Sequence, residues 1–304
     1  MSHSTCFLAG LCLFAAQTGA AWRDPSPHQV RFVTVDSSVR LEVLDWGGTG
    51  QAIVFVGCYL TAHVYDDIAP KLTDRFHVYA VTRRGVGASD RPATGYDPLR
   101  RAADILEVID SVGMQKPILV GNSCGGAILH TLGAQHPDRL SGLVYLDAAE
   151  DPTLGGADYG PTAPVDPAHL PAFVGKRVPV VFPEAEVRQM DQWPVEPAIR
   201  KAITEDNNVK PDYARIPLPV LAIYRTVTME QALKDYPPSN EQQRAALNQA
   251  YANARAMLSR WQRDLLAGVP TARIVELPGA NLYMFLSNEG DVLREIRAFA
   301  AALR

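Results

Sequence analysis

No histidine occurs in this 304-residue chain after His169, so the stretch from Leu170 to Arg304 offers no imidazole. That removes the side chain that most readily carries protons near neutral pH. Positive charge is also thin. The net charge is −4, and there is no cluster of five or more Lys/Arg, which excludes the usual footprint of a nucleic-acid binder. Cysteines number only four, and no Cys/His spacing resembles a zinc site. Neither a metal nor any other cofactor is expected. Nothing repeats internally.

The longest apolar feature at the N-terminus, Cys6 to Ala16, is too short to span a bilayer. It lies in "MSHSTCFLAGLCLFAAQTGAA", residues 1–21, and leads into the small-residue stretch "TGAA". The pattern reads as a secretory signal peptide cut near Ala20 or Ala21, although its opening has no Lys or Arg. The expected location is therefore exported, periplasmic or secreted, with no membrane partner after cleavage; without a signal the chain would be cytoplasmic. Cleavage removes Cys6 and Cys12 and leaves Cys58 and Cys124. An oxidising compartment permits that pair to bond; two separate buried thiols are the other reading.

With 47% hydrophobic residues, the chain is long enough for one large α/β domain or two small ones. "HQVRFVTV" and "VRLEVLDW" flank Asp36-Ser37-Ser38 and suggest a hairpin. "QAIVFVG", "HVYAVT", "PILVG", "GLVYLD", "PVLAIY" and "ARIVELP" are short continuous apolar runs, as strands buried on both faces are. Helical patterns lie between them. Asp97-Pro98 offers an N-cap and a first-turn proline, and Gly113 a stop. Ser239 with Gln242 resembles a capping box, followed by helical spacing to about residue 266. Val292, Ile296, Phe299 and Leu303 mark a terminal amphipathic helix. This alternation predicts a mostly parallel sheet of eight strands with helices on both faces. Residues 151–219 break the rhythm with 12 of the 23 prolines. The expected organisation is a signal peptide over 1–21, a core over 22–150 and 220–304, a cap insertion over 151–219, and a helical insertion at about 229–268.

"PILVGNSCGGAILH" reads strand, Gly-x-Ser-x-Gly, helix. Gly121, Ser123 and Gly125 sit at the spacing of a nucleophile elbow, where so tight a turn admits only small neighbours and strains the serine backbone. A glycine-rich strand–helix turn without function is the bland alternative.

At this point the chain resembles the α/β-hydrolase superfamily over nearly all of residues 28–304. "VTRRGVGASDRP" resembles the arginine–glycine loop after the family's fourth strand, and "HPDRLSGLVYLDAA" its passage into strand six. "LPGANLYMFLSNEGDVLREIRAFAAAL" resembles its last strand, histidine loop and closing helix. The resemblance implies an α/β-hydrolase fold, with Ser123 as nucleophile and the N–H groups of Cys58 and Cys124 as oxyanion-hole donors. It places Leu282 where the catalytic histidine belongs. The acid usually follows strand seven, but Arg225-Thr226-Val227-Thr228 has no carboxylate. Asp147, after strand six, matches an alternative acid position or is a loop cap; Glu230 is a weaker choice.

A serine hydroxyl needs a base to become a good nucleophile. Asn281 beside Leu282 does not titrate. His63, after the oxyanion loop, and His169, in the cap, are the substitute bases to test; His77, His130 and His136 fit packing or surface roles better. Three functions stay open. One is an exported serine hydrolase of esters or similar acyl compounds with a degenerate triad. Another is a non-catalytic descendant binding a small apolar, ester-like ligand under the cap, with Trp193, Phe173 and Trp261 as candidate lining. The last is a thiol or redox protein using Cys58 and Cys124, with Cys124 itself a less favoured nucleophile. The oligomeric state is not readable from the sequence.

Overall fold

The computed structural model describes residues 22–154, 164–172, 180–206 and 208–303. Its centre is an eight-stranded sheet: β1 (Gln29–Val35), β2 (Val39–Gly47), β3 (Ala52–Val56), β4 (His77–Thr82), β5 (Ile118–Asn122), β6 (Gly142–Leu146), β7 (Val220–Thr226) and β8 (Arg273–Pro278). The strand order is β1-β2-β4-β3-β5-β6-β7-β8. The β1–β2 and β2–β4 pairs are antiparallel, and the remaining pairs are parallel. All the strand patterns read from the sequence are present. The Asp36-Ser37 turn takes positive φ at both residues, 50° and 66°, as a tight hairpin requires.

β3, β5 and β6 are buried along their whole length, which explains their unbroken apolar sequence. Two apolar layers cover the sheet. One contains α1 (Pro98–Val112) and α2 (Gly126–Gln135), with Ile105, Val108, Leu129 and Leu132 packed on Val54, Leu119 and Leu143. The other packs Phe285, Val292 and Ile296 onto Phe55, Val120 and Leu146.

Asp97 caps α1 by accepting from the Arg100 N–H at 2.9 Å, and Gly113 ends it at φ 77°. Between β6 and β7 lie α3 (Glu184–Gln192) and α4 (Pro197–Asp206). After β7 come α5 (Met229–Asp235) and the long α6 (Glu241–Gly268). The expected cap of α6 shifts by one residue. Asn240, not Ser239, accepts from the Gln243 N–H at 2.8 Å, because Asn240 holds the extended backbone of an N-cap, while Ser239 bonds the Gln243 side chain. The chain closes with α7 (Met284–Ser287) and α8 (Glu289–Ala302). Among the described residues, no helix is long and apolar enough to cross a membrane.

Candidate active site

The C-terminal ends of β3 and β5 meet at the centre of the sheet. Their parallel register pairs Val56 with Gly121, so the loops that leave the two strands start side by side. After β5 the chain turns at once into a 3-10 turn, Ser123–Gly125, and then α2. Ser123 sits in the turn with φ 52°, the left-handed region that a side chain strains to occupy. Three glycines make the turn possible. A Cβ on Gly121 would meet Leu129 Cδ1 at 2.8 Å, one on Gly125 the Val56 carbonyl at 2.5 Å, and one on Gly126 the Ala148 carbonyl at 2.0 Å. The sequence pattern singles out the first two; Gly126 is equally constrained, because strand six's exit loop crosses directly over it.

Cys58 and Cys124 are joined by a disulfide, with Cα atoms 5.0 Å apart. The bridge ties the loop after β3 to the first residue after Ser123. The buried Arg83 lies beside it, with Nη1 3.7 Å from Cys124 Sγ and its guanidinium 5.3 Å from the Tyr59 ring centre. Arg200 of α4 stands 4.7 Å from the same ring. Burial and the nearby Arg101 hold the Arg83 guanidinium well below its ordinary pKa.

Ser123 opens onto a cavity of about 130 Å³. Leu282 lines that cavity with it, together with Tyr59, Tyr65, Tyr283 and Phe285. The end of β5 is stitched to the same loop: Asn122 Nδ2 donates to the Leu282 carbonyl at 2.9 Å and to the Leu146 carbonyl at 2.8 Å. The structure thus brings together Ser123, Cys58, Cys124 and Leu282.

Asp147 lies elsewhere. It follows β6 with φ 50° and accepts from the Arg225 side chain, Nε to Oδ2 at 2.5 Å, and from the Arg225 N–H at 3.2 Å. It lines a different cavity, of about 280 Å³, with Glu150, Arg225, Arg255, Trp261 and Ala280. Burial raises the Asp147 carboxyl and Arg225 opposes the shift. Burial, reinforced by Asp147, pushes Glu150 up to about 7. Sequence reasoning missed Arg225 as Asp147's partner, because the pair is set by the β6–β7 register. Glu230 is exposed in the first turn of α5 and lines neither cavity.

The histidines go to separate places. His63 is buried; its Nδ1 lies 3.2 Å from Asp66 and 3.1 Å from Asp24, and its Nε2 is 3.3 Å from the Gln189 amide. Although burial opposes charge, hydrogen bonds to Asp66 and Glu42 raise His63 to about 10. As a substitute base it is therefore badly placed, because both ring nitrogens are turned toward other groups. His169 is half-exposed in a 3-10 turn, 3.7 Å from Asp166, and lines no described cavity. His77 bonds Asp45 at 2.7 Å at the start of β4. His130 is buried in α2, its pKa lowered to about 4 by burial, and His136 caps the end of that helix. Of the expected lining residues, Trp193 lies in a cleft beside His63 and Trp261 in the Asp147 cavity. Neither lines the described Ser123 cavity. Phe173 lies outside the described residues.

The strand order, the strained serine and the glycine-lined turn agree with a family-model match over residues 48–295, to "Alpha/beta hydrolase family". The chain belongs to the alpha/beta hydrolase family. Its relatives include 2-(acetamidomethylene)succinate hydrolase of Mesorhizobium japonicum, 34% identical over 109 residues, which is 36% of this chain and 39% of the relative. Epoxide hydrolase A of Mycobacterium tuberculosis is 31% identical over 136 residues, 41% of this chain and 40% of that protein. These matches span about two fifths of each relative's length. Among solved structures, E-2-(acetamidomethylene)succinate hydrolase matches with a TM-score of 0.60 at 21% identity, covering 90% of this chain and 99% of the other. A bromoperoxidase from Bacillus anthracis matches with a TM-score of 0.64 at 16% identity, covering 90% and 100%. At such identities the structural likeness speaks for the fold alone.

Proposed function

We propose that this alpha/beta hydrolase family member is an exported protein that binds a small ester-like or acyl ligand against Ser123 without turning it over at the rate of a complete triad. In this reading Ser123 is the inherited nucleophile, and the N–H groups of Cys58 and Cys124 are the inherited oxyanion donors. Leu282 stands at the position of the lost base, and Asp147 at that of its acid. The observation that carries the reading is the distribution of imidazoles. None of the described histidines lines the cavity shared by Ser123 and Leu282, and the two proposed substitutes, His63 and His169, face other groups.

Further observations support it. The cavity wall is mostly aromatic and aliphatic, which suits a small apolar ligand. Asp147 is held by Arg225, so the one carboxylate in an acid position is already paired with a cation. Relatives that are hydrolases by name agree with a hydrolytic ancestry. Export is supported by the N-terminal apolar segment and by the bonded cysteine pair, since such bonds persist in oxidising compartments.

The experiment is labelling with a fluorophosphonate, which reacts with activated serines. Intact mass should show no adduct on the wild-type chain under conditions that fully label a complete triad. Rapid stoichiometric labelling at Ser123 would overturn the proposal.

A further inference from the structure

Away from Ser123, four metal-ligating side chains converge below α3. Asp24 and His28 come from the segment ahead of β1, His63 from the 3-10 helix Ala62–Tyr65, and Asp66 from its C-cap. One ligand atom from each lies within 4.8 Å of all the others. His28 Nδ1 is 2.9 Å from Asp66 Oδ1, and His63 Nδ1 is 3.2 Å from Asp66 Oδ2 and 3.1 Å from Asp24 Oδ2. Zinc bonds of about 2.0–2.1 Å place tetrahedral ligand atoms about 3.3 Å apart. Those three spacings are close to that value, though they reach Asp66 through both of its oxygens; His28 Nε2 lies 3.8 Å from Asp24 Oδ2, so an ion would draw the set inward.

Protons alone leave the cluster incomplete. Nδ1 of His63 carries one hydrogen at most, and its hydrogen bond goes to Asp66. Asp24 Oδ2 is then buried with no hydrogen-bond partner, although it lies 3.1 Å from the same nitrogen and 3.8 Å from His28 Nε2, too far for a hydrogen bond. A cation between the four groups satisfies it together with the other three. The outer surroundings agree. His63 turns its other nitrogen, Nε2, toward Glu42 Oε1 at 3.6 Å, and Glu42 is itself held by Thr82 Oγ1 at 2.7 Å. A carboxylate behind the far nitrogen is the usual support of a metal-bound histidine. Access exists too: Asp24, His28 and His63 line a cleft of about 720 Å³ that runs along α3 past Gln189 and Trp193.

We propose that Asp24, His28, His63 and Asp66 bind one divalent first-row transition ion of the zinc class. Two imidazoles with two carboxylates suit such an ion, whereas calcium and magnesium prefer all-oxygen sites. Binding displaces the protons held on the ligating nitrogens into solvent, with no change of redox state. The ion ties the segment ahead of β1 to the helix that follows the oxyanion loop, so its role is structural. The ligands come as two short pairs, Asp-x-x-x-His and His-x-x-Asp, far apart in the chain. For that reason no Cys/His zinc spacing marks them.

The test uses untagged mature protein stripped with chelator. ZnCl2 is titrated by calorimetry and CoCl2 by visible absorption. One equivalent of each should bind, cobalt should show the intense visible bands of a four-coordinate site, and zinc should raise the melting midpoint in a concentration-dependent way. His28→Gln and Asp24→Asn should each weaken binding more than about 10-fold, while His169→Gln leaves it unchanged. Failure of folded wild-type protein to bind, or binding that survives His28→Gln and Asp24→Asn, overturns the proposal. Should those variants misfold, the wild-type cobalt spectrum decides, and an absence of four-coordinate bands rejects the site.

Discussion

Arg225 donates to Asp147 through both its side chain and its backbone N–H, and so occupies the carboxylate that the proposed site would need for a histidine. On the proposed reading, restoring a base therefore takes two changes. Leu282→His alone should raise esterase activity only modestly. Leu282→His with Arg225→Gln should raise it further, by roughly 10²-fold or more over wild type, the usual range for a general base. Initial rates on an activated aryl ester decide, with circular dichroism confirming the fold. A double variant no better than the single would show that Asp147 is not the acid.

The disulfide should hold the loop after β3 and the Ser123 turn together. It closes a loop between positions 66 residues apart in sequence, for which chain entropy gives roughly 4 kcal/mol as an upper figure and typical bridges 2–4. Reduction, or Cys58→Ser with Cys124→Ser, should lower the melting midpoint by several degrees. Alkylation of unreduced protein should modify neither cysteine. A midpoint unmoved by reduction would contradict the bridge's structural weight.

Much of this was legible in the sequence, because each feature has a local cause. Buried parallel strands need unbroken apolar runs, Asp97-Pro98 starts a helix, and a Gly-x-Ser-x-Gly turn needs absent side chains. The Asp147–Arg225 pair was not legible, since it depends on the β6–β7 register. Nor was the orientation of His63, which depends on a segment nearly forty residues earlier folding back against it. The shift of the α6 cap from Ser239 to Asn240 is a choice between neighbouring polar residues that only the backbone settles. The sites of Trp193 and Trp261 depend on how α3 and α6 pack, and helical spacing does not encode that.

The elbow glycines should divide sharply by space. Gly126→Ala drives a Cβ to 2.0 Å from the Ala148 carbonyl, a backbone atom that does not yield, and should destabilise by several kcal/mol, at or beyond the upper range for overpacking. Gly290→Ala, in α8, meets nothing within 4 Å and should stabilise by roughly 0.5–1 kcal/mol. Urea denaturation of both variants measures the contrast, and equal effects would contradict the close approach.

Glu150 gives a pH signature. Burial first, then Asp147, raises its pKa from 4.5 to about 7, so the folded state holds a proton that the unfolded chain releases earlier. This contribution is absent below about pH 4.5; stability then falls as pH rises through the window up to about 7. Its full size is on the order of 3 kcal/mol. Glu150→Gln should flatten that part of the profile and be relatively more stable at pH 8. Parallel profiles for variant and wild type would place the Glu150 carboxyl in water.

The central claim, that Ser123 keeps the elbow but has no base, is tested most directly by comparing steady-state hydrolysis of an activated acetate ester by the wild type and by Ser123→Ala across pH 6–9. The account predicts rates within a few-fold of each other at every pH, with only the weak contribution of binding and oxyanion donors remaining in both. A loss of 10³-fold or more in Ser123→Ala, with the wild-type rate rising through a single ionisation near pH 7, would show a working base at Ser123 and contradict it.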